Sequence, residues 1–361
     1  MDKEVKKMRI CVLSYHTSPV NPPGIGNSGG MNVLIYNLYK RLSRYHQIDI
    51  FTSSTEPLVV INKNLKIISV HDNTISDFAD AILDYWGNRC YDLLHTHYWL
   101  SGLVGLELKK VLNVTWFHTF HTIERFKSIN RDRARIEAED EIMKKCDLVI
   151  SSTWREKSLL KSVHPDLKVI AIPHGVDTSK FQPALNGHHS ILYVGRIDPI
   201  KGLDLLIEAM QKIADVRIDI VGGQSKDHQY YESIRTAAAR LNVRFAGPVH
   251  PDLLCDYYLN AGMVVVPSYY ESFGLVGLEA MASARPVIGF KDTGLSETVG
   301  DDAGLLISRG IKSLRQAIQS LINNPDLRHK LGLKGRKKAL SFSWDRIAER
   351  YLKIYAEVNK S

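Results

Sequence analysis

The sequence predicts an α/β protein of two doubly wound domains that face each other across a cleft, and three observations lead to this fold class. The chain has 361 residues, which is more than one ordinary core holds, so two domains of about 150 to 200 residues are expected. Strand-like and helix-like segments alternate along the whole chain, as is typical of parallel sheets covered by helices. A segment rich in Pro, Gly, Asn and His at 173–189 interrupts this alternation, and we interpret it as the linker.

The strands are predicted from short apolar runs that are bounded by polar residues. In the first domain these runs lie at 9–15, 47–53, 66–70, 92–97, 113–118, 147–152 and 168–172. The pattern restarts at 191–197 and continues through "IDIVGG", "VRFAG", "MVVVPS" and "PVIGF". We therefore place an N-terminal domain at 1–175 and a C-terminal domain at 186–341.

The last predicted helix, at about 344–358, has one strongly apolar face. That face carries Trp344, Ile347, Tyr351, Ile354 and Tyr355. A helix of this kind must bury its apolar side, so we expect residues 342–361 to pack back on the N-terminal domain.

Composition indicates a globular cytoplasmic protein. Hydrophobic residues make up 44% and charged residues 24% of the chain, which are ordinary globular values. No stretch reaches the roughly 18 apolar residues that span a bilayer, and the short apolar run near the N-terminus predicts a strand rather than a signal peptide. The four cysteines are widely spaced, which favours reduced thiols over a disulfide or zinc site; they are Cys11, Cys90, Cys146 and Cys255.

The formal net charge of +8 points to an anionic partner, which could be nucleic acid, a membrane surface or a phosphate-rich small substrate. The most basic run, at 328–338, has no interleaved aromatic residues. A nucleic-acid role would call for such residues. We therefore expect no nucleic-acid partner, and a solvated helix face explains the run.

A glycine-rich stretch near the start spells the dinucleotide-binding fingerprint as Gly24-x-Gly26-x-x-Gly29. The fingerprint requires its first glycine directly after one strand and an acidic residue at the end of the following strand. Here Gly24 comes about eight residues after the strand ends, and the second strand ends without a carboxylate. What remains is a loop whose amides, at Gly29 and Gly30, can approach an anion at a helix N-terminus. The alternative is a flexible surface connection.

Two stretches of the second half place polar groups directly after predicted strands. Arg196 ends one strand and Lys201 follows five residues later, so a guanidinium fork and an ammonium could hold a diphosphate together. After "MVVVPS", Glu271 lies in a loop and Glu279 in the following helix, separated by free amides of residues 272–275. These groups could bind sugar hydroxyls, phosphate oxygens and a ribose. A salt-bridged helix edge is the simpler alternative.

Together the motifs resemble those of the retaining GT-B glycosyltransferases of family four. The resemblance rests on "YESFGLVGLEA", "VGRIDPIKG", "GGMN", "HTHYWLSG" and "IPHGVDTSKF". It covers nearly the whole chain in the family's order, and it is closest to the branch of D-inositol-3-phosphate glycosyltransferases and sucrose-phosphate synthases. It implies a GT-B fold of two Rossmann-like domains and a UDP- or GDP-linked sugar bound mainly by the second domain.

The resemblance also assigns roles to individual residues. It implies that Arg196 and Lys201 hold the donor diphosphate, that Glu279 accepts from the ribose hydroxyls and that Glu271 binds the transferred sugar. The remaining donor-binding positions that it implies are Gly29, Gly30, Ser272, Phe273, Gly274 and Leu275. The catalytic set is His121, Arg196, Lys201 and Glu271. The acceptor-binding set is His16, Asn32, Tyr98, Thr122, Lys127 and Arg135.

The residue inventory also bears on mechanism. The chain has no D-x-D sequence and so offers no carboxylate pair for a diphosphate-bound metal. We expect Arg196, Lys201 and helix amides to stabilise the leaving group, with no metal and no cofactor. The acceptor hydroxyl would then attack the face from which the diphosphate leaves, which retains the anomeric configuration. The pair His95 and His97 lacks a nearby third ligand and is a weak indication of a metal site.

The resemblance is weakest where the acceptor would bind. Inositol-phosphate enzymes generally have a lysine in the loop that corresponds to "SVHDNTISDFAD", where this chain has only acids and His71. A phosphorylated acceptor therefore depends on Lys127 and Arg135. Smaller departures are Gly26-Asn27-Ser28 before the glycine pair and Ala284-Arg285 after the Glu279 helix.

Four other functions deserve comparison. A lipid-linked acceptor at a membrane surface would suit the basic charge and would involve a peripheral membrane contact. A non-catalytic sugar-binding protein would need no diphosphate-binding cations. A nucleotide-sugar epimerase would not need the acceptor set. A glycosidase using Glu271 and Glu279 is disfavoured because Glu279 belongs to the buried side of a helix.

Overall fold

The computed structural model describes residues 6–22, 28–54, 57–72, 74–87, 90–127, 131–183, 190–225 and 227–358. Gly24 and Gly26 of the fingerprint, Asn27, and the end of the predicted linker lie outside these ranges. The described residues form two compact units. One unit contains the residues up to Asn21, those from Ser28 to Pro173 and those from Trp344 onward; the other contains Pro22 and His174 to Ser343.

The first unit is a doubly wound sheet with helices on both faces. Its strands are β1 (Arg9–Leu13), β2 (Gln47–Ser53), β3 (Val59–Asn62), β4 (Leu65–Val70), β5 (Leu93–His97), β6 (Thr115–Thr119), β7 (Leu148–Ser151) and β8 (Val169–Ala171). Its first five helices are α1 (Gly30–Leu42), α2 (Ile75–Gly87), α3 (Tyr98–Val111), α4 (Arg133–Lys145) and α5 (Trp154–Val163). Among the described residues the strand order is β3-β4-β2-β1-β5-β6-β7-β8. Every neighbouring pair is parallel except β3 with β4.

The second unit repeats this plan with a smaller sheet. Its strands are β9 (Ser190–Val194), β10 (Arg217–Val221), β11 (Val243–Gly247), β12 (Met263–Val266), β13 (Val287–Phe290) and β14 (Gly304–Ile307). Its helices are α6 (Leu203–Met210), α7 (His228–Ala238), α8 (Pro251–Asn260), α9 (Leu275–Ala282), α10 (Leu295–Val299), α11 (Ile311–Asn323) and α12 (Pro325–Ala339). The described strands run in the order β11-β10-β9-β12-β13-β14, and all pairs are parallel. The predicted fold class of two Rossmann-like α/β domains is thus confirmed.

The last helix, α13 (Trp344–Val358), belongs to the first unit. Its apolar face is buried in the same core as α1 and β1, where Trp344, Ile347 and Tyr355 are almost fully covered. Asp345 at its start pairs with Arg44 on the chain after α1, with an Arg44 nitrogen 3.1 Å from its carboxylate. None of the helices in the described ranges is long and apolar enough to cross a bilayer.

The predicted linker is partly structured. Val176 and Phe181 are buried in the core of the second unit, and the Val176 amide donates to the Phe342 carbonyl at 2.9 Å. Residues 174–183 therefore pack on the second unit rather than running freely. The polar composition of the segment concealed this packing, because Val176 and Phe181 are too few to form a periodic apolar pattern.

Candidate active site

In each sheet the chain reverses its direction of winding at one strand pair. In the first unit this switch point lies between β1 and β5, and in the second between β9 and β12. Ligands of doubly wound sheets bind outside the carboxyl ends of strands at such points. His16 and Tyr98 follow β1 and β5, while Arg196 and Glu271 follow β9 and β12. The sequence-predicted residues thus lie at the expected edge of their own sheets.

Arg135 on α4 is the centre of a buried ionic cluster in the first unit. Its Nε donates to Glu139 Oε1 at 2.8 Å, and one terminal nitrogen lies 3.0 Å from Glu124 Oε2 and donates to the Tyr98 hydroxyl at 3.0 Å. The other donates to the Thr122 carbonyl and hydroxyl, each at 2.9 Å. The Arg135 side chain is only 7% exposed. It therefore holds Tyr98 and Thr122 in place.

Lys127 completes the cluster by pairing with Glu124 as well. Two cations, Lys127 and Arg135, thus face two carboxylates, Glu124 and Glu139, and the four formal charges cancel. Burial is the main cause that raises the pKa of Glu139, which Arg135 opposes. Arg135 thus pairs with Glu139 one helical turn further on and also with Glu124, and neither carboxylate is among the site residues predicted from the sequence. The assignment of both cations to an acceptor phosphate stays a prediction.

His16 stands against the ring of Tyr98, with the ring centroids 4.3 Å apart. Burial, helped by the positive charge of Arg135, lowers the pKa of His16 to about 4. The imidazole is therefore neutral at pH 7. Its Nδ1 is buried and has no hydrogen-bond partner among the described residues. Such an orphaned nitrogen in a predicted acceptor site is suited to a ligand hydroxyl.

His121 follows β6 and has a backbone φ of +64°, in the left-handed region that non-glycine residues rarely adopt. Tyr98 shares this feature, with a φ of +73°. Strained backbone of this kind persists only where surrounding contacts hold it, and it is frequent at functional sites. The His121 Nε2 lies 3.0 Å from His97 Nδ1, which provides one such contact.

Asn32 forms hydrogen bonds that hold the chain segment before α1 in place. Its Oδ1 accepts from the Gly29 amide at 3.0 Å, and its Nδ2 donates to the Thr17 hydroxyl at 2.9 Å and the Ser18 carbonyl at 2.6 Å. The residue is 1% exposed. Its amide thus orders the entry to α1, where Gly29 is the N-cap and Gly30 the first helical residue. An acceptor contact of Asn32 stays a prediction.

In the second unit Arg196 lies just beyond the end of β9. Its backbone is fixed, because its carbonyl accepts from the Tyr193 hydroxyl at 3.0 Å. Its guanidinium, by contrast, has no ion pair or hydrogen bond with any described residue. The chain after β9 lies close to the chain after β10. Gly222 permits this close contact, because a Cβ at that position would lie 1.9 Å from the Gly195 carbonyl oxygen. Arg196 is therefore a positioned cation that can accept an anion.

Lys201 and Glu271 form an ion pair at the same sheet edge. The Lys201 Nζ lies 2.9 Å from Glu271 Oε2, with the side chains 29% and 16% exposed. Lys201 ends the short 3-10 turn Pro199–Lys201, which the Asp198 side chain caps. The two residues predicted to bind diphosphate and sugar thus contact each other directly.

The loop after Glu271 leads into the N-terminus of α9, whose N-cap Gly274 has a φ of +91°. The loop is fixed by Gly294, whose amide donates to the Glu271 carbonyl at 2.7 Å. A Cβ on Gly294 would lie 1.9 Å from the Ser272 carbonyl oxygen, so only glycine fits there. The amides of the first turn of α9 have no intrahelical partner and can bind an anion.

Glu279 lies about one turn into α9, where its Oε2 accepts from the Tyr258 hydroxyl at 2.8 Å. Burial raises its pKa to about 7, against the opposing effects of the Tyr258 hydrogen bond and the charge of Lys180. The carboxylate therefore titrates near neutral pH. A cation or ligand hydroxyl beside it would favour its ionised form.

Several contributors were not predicted from the sequence. Glu124, Tyr258 and Gly294 support predicted residues without belonging to a recognisable motif. The H-x-H pair His95 and His97 is visible in the sequence, whereas its hydrogen-bond partner Tyr39 is not. Tyr39, Tyr258 and Gly294 contact their partners only through the tertiary fold, so no sequence signal identifies them.

Comparison with known proteins identifies the family. The family description "Glycosyltransferase Family 4" matches residues 28–180, and "Glycosyl transferases group 1" matches residues 176–338. A D-inositol 3-phosphate glycosyltransferase of Corynebacterium aurimucosum is 32% identical over 97% of this chain and 96% of its own length. The chain belongs to the GT-B glycosyltransferases of family four. It is a glycosyltransferase, as the resemblance predicted.

Solved structures agree with this assignment. Sucrose-phosphate synthase of Thermosynechococcus elongatus superposes with a TM-score of 0.92 at 29% identity, covering 98% of this chain and all (100%) of its own. The Anabaena protein HepE in complex with UDP and glucose gives a TM-score of 0.80 at 16% identity, over 97% of this chain and 100% of its own. The second likeness supports the fold alone. The glycosyltransferase therefore has the two-domain α/β fold of its family.

Proposed function

We propose that this glycosyltransferase moves a hexosyl group from a nucleoside-diphosphate sugar to a small, phosphorylated sugar or polyol. We further propose that it retains the anomeric configuration and needs no metal ion or cofactor. The UDP- and GDP-linked sugars are both candidate donors. The names of its relatives, an inositol-phosphate glycosyltransferase and a sucrose-phosphate synthase, support a phosphorylated acceptor.

One observation carries the donor half of the proposal. Arg196, the Lys201–Glu271 pair and the N-terminus of α9 all follow the strands of one switch point. The guanidinium of Arg196 has no partner among the described residues, so it can bind a phosphate without breaking an existing contact. A cation and helix amides at the leaving group stabilise developing negative charge in place of a metal.

In this mechanism both members of the Lys201–Glu271 ion pair act on the donor. An incoming diphosphate attracts Lys201 and leaves the Glu271 carboxylate able to accept from hydroxyls of the transferred sugar. As the bond to the diphosphate breaks, its growing charge interacts more strongly with Arg196 and Lys201, so these residues lower the barrier. The acceptor hydroxyl attacks from the side that the diphosphate leaves, and the departing phosphate oxygen takes its proton.

The test is a donor screen followed by an acceptor screen. UDP-, GDP- and ADP-sugars are assayed for slow hydrolysis, and the active donor is then combined with phosphosugars, polyol phosphates and their unphosphorylated counterparts. Proton NMR of the product gives the anomeric configuration. We expect a retained product and full activity in EDTA. An inverted product, or activity lost in EDTA and restored by magnesium, contradicts the mechanism.

A lipid-linked acceptor is the second candidate, and the formal net charge of +8 favours it, because anionic membrane surfaces attract basic proteins. Because Glu124 and Glu139 already neutralise Lys127 and Arg135, the first unit offers little uncompensated charge to a phosphate at this place. Sedimentation with anionic liposomes at low and high salt tests this candidate. Salt-sensitive binding, together with transfer only to lipid-linked acceptors, supports it over the small phosphorylated acceptor.

A further inference from the structure

Lys201 and Glu271 belong to two chain segments that meet at the carboxyl edge of the second sheet. Lys201 ends the turn between β9 and α6, and Glu271 lies in the loop between β12 and α9. Their ion pair joins two partly exposed side chains, and a pair of this kind contributes little to holding segments together. The position of the Lys201 ammonium therefore depends on other contacts between the turn and the loop.

Tyr269 provides two such contacts. It lies in the loop, three residues after the end of β12 and two before Glu271. Its amide donates to the Ile200 carbonyl at 2.8 Å, on the N-terminal side of Lys201. Its hydroxyl donates to Asp204 Oδ2 at 3.2 Å, on the C-terminal side. A single residue of the loop is thus bonded to the turn on both sides of Lys201.

Asp204 is itself held in place by α6 and α7. It is the second residue of α6, where the helix N-terminus favours a negative charge. Its Oδ1 accepts from the Tyr230 hydroxyl at 2.8 Å, and its amide donates to the same hydroxyl at 3.2 Å. A carboxylate only accepts, so the Tyr269 and Tyr230 hydroxyls are the donors of their bonds to it. Burial and the Asp204 charge raise the pKa of Tyr269, so its hydroxyl keeps its proton at neutral pH.

The loop side of this contact is also fixed. The Tyr269 carbonyl accepts from a terminal nitrogen of Arg309 at 3.0 Å, and the guanidinium lies 5.1 Å from the centre of the Tyr269 ring. Arg309 in turn donates to Asp292 at 2.8 Å. Gly202, with a φ of +65°, lets the turn lie against the end of β12, because a Cβ there would be 2.1 Å from the Pro267 carbonyl oxygen. Tyr269 therefore acts on the turn from a well-supported position.

We propose that Tyr269 and Asp204 are positioning residues that hold the Lys201 ammonium where it meets the donor diphosphate, a role that rests on the proposed function. Neither residue needs to contact the donor. A cation that is already in place stabilises the leaving diphosphate without reorganisation during the reaction. If the turn were bonded on one side only, the ammonium would spend less time where the charge develops. Loss of the Tyr269 hydroxyl should therefore lower kcat more than it raises the donor KM.

The main test is a double-mutant cycle between Tyr269→Phe and Lys201→Met at saturating donor. Losing one hydrogen bond to a charged group costs about tenfold in rate, so Tyr269→Phe should lower kcat by about this factor. In the Lys201→Met background the same substitution should lower kcat less than about twofold, because a residue that acts through Lys201 has nothing left to position. Equal losses in both backgrounds overturn the proposal, and so does an unchanged kcat in Tyr269→Phe.

Two further variants complete the cycle. Asp204→Asn keeps one oxygen that can accept from a hydroxyl, so it should lose less activity than Asp204→Ala; the reverse order contradicts the role of the carboxylate. Tyr231→Phe is the matched control, because Tyr231 lies beside Tyr230 on α7 but its hydroxyl lies 3.5 Å from Arg235. This control should leave kcat unchanged. Each tyrosine substitution removes a single oxygen, and thermal unfolding verifies that the fold persists.

Hydrogen exchange without any ligand gives a second readout. The amide of residue 269 is bonded to the Ile200 carbonyl, so its exchange rate reports whether the turn and the loop stay joined. Exchange at this amide should become about tenfold faster in Tyr269→Phe and should not change in Tyr231→Phe. Unchanged exchange in Tyr269→Phe overturns the proposal. If exchange responds but the unsubstituted protein transfers no sugar, the proposed function fails alone. If sugar is transferred but the cycle is additive, the positioning role fails alone.

Discussion

Replacing Lys201 separates two roles that the structure gives to one side chain. Lys201 is the ion-pair partner of Glu271, at 2.9 Å and with both side chains partly exposed. A partly exposed pair contributes at most about 1 kcal/mol, so losing it alone should lower turnover less than about tenfold. A cation that stabilises a leaving diphosphate contributes about 2.7 to 4 kcal/mol, or roughly a hundred- to a thousandfold in kcat. These ranges do not overlap.

The assay compares Lys201→Met, Glu271→Gln and the double variant at saturating donor. Methionine keeps most of the side-chain volume while removing the charge. If Lys201 acts on the diphosphate, Lys201→Met loses at least a hundredfold in kcat, and adding Glu271→Gln restores nothing. Affinity for the free nucleoside should change little, since the nucleoside has no diphosphate. Turnover near the original level in Lys201→Met, or its recovery in the double variant, would refute the reasoning.

Other residues give further predictions. Lys127→Met should raise the KM for phosphorylated acceptors by about tenfold with donor hydrolysis unchanged, whereas a change below twofold would favour a neutral acceptor. Arg135→Met should also lower the melting temperature, measured by calorimetry, because it leaves two buried carboxylates without their common partner; an unchanged melting temperature contradicts this. Gly294→Ala should weaken donor binding at least tenfold, because its Cβ meets backbone, while Gly87→Ala, which meets nothing within 4 Å, should bind as before. Nucleoside diphosphate affinity, measured by calorimetry, should rise between pH 6 and 8, because the pKa of Glu279 is raised to about 7 and the ionised form accepts from ribose. Glu279→Gln should abolish that rise, and a persistent rise would assign it elsewhere.

The raised pKa of Glu279 also predicts how the free energy of unfolding depends on pH. Its folded pKa, about 7, is above the unfolded value of about 4.3, so the folded state binds the extra proton between these pH values. The free energy of unfolding should therefore fall as pH rises from about 4.3 to about 7 and level off above. Urea unfolding of Glu279→Gln should show a smaller decrease across this window. An equal decrease in both proteins would show that other groups cause it.

Most of the fold was predictable because buried parallel strands leave a strong apolar signal. The strands around β1 and β9 are of this kind, and each was predicted within a few residues. β3 and β14 were missed. β3 is an antiparallel edge strand with partly exposed side chains, and β14 is a four-residue edge strand that is mostly half-buried, so neither shows a continuous apolar run.

The candidate site was predictable only to the extent that strand ends determine it. Arg196 and Glu271 follow apolar runs directly, so their placement at one sheet edge follows from the parallel order. Their supports come from elsewhere in the chain. The Tyr355 hydroxyl meets a histidine that lies 260 positions earlier, and Gly294 meets Glu271 across a loop. Contacts of this kind depend on how helices and loops pack. The periodicity of the sequence carries no information about that packing.

The distribution of charge explains why the candidate residues of the first unit and those of the second should respond differently to an anion. In the second unit Arg196 has no partner among the described residues, so its guanidinium can bind a diphosphate without first releasing a carboxylate. In the first unit a phosphate near Lys127 must compete with Glu124, whose side chain is only 3% exposed. Of the two cations there, Lys127 is 19% and Arg135 7% exposed. Lys127 is therefore the one able to exchange its carboxylate for a phosphate, while Arg135 keeps Tyr98 and Thr122 in place during the exchange.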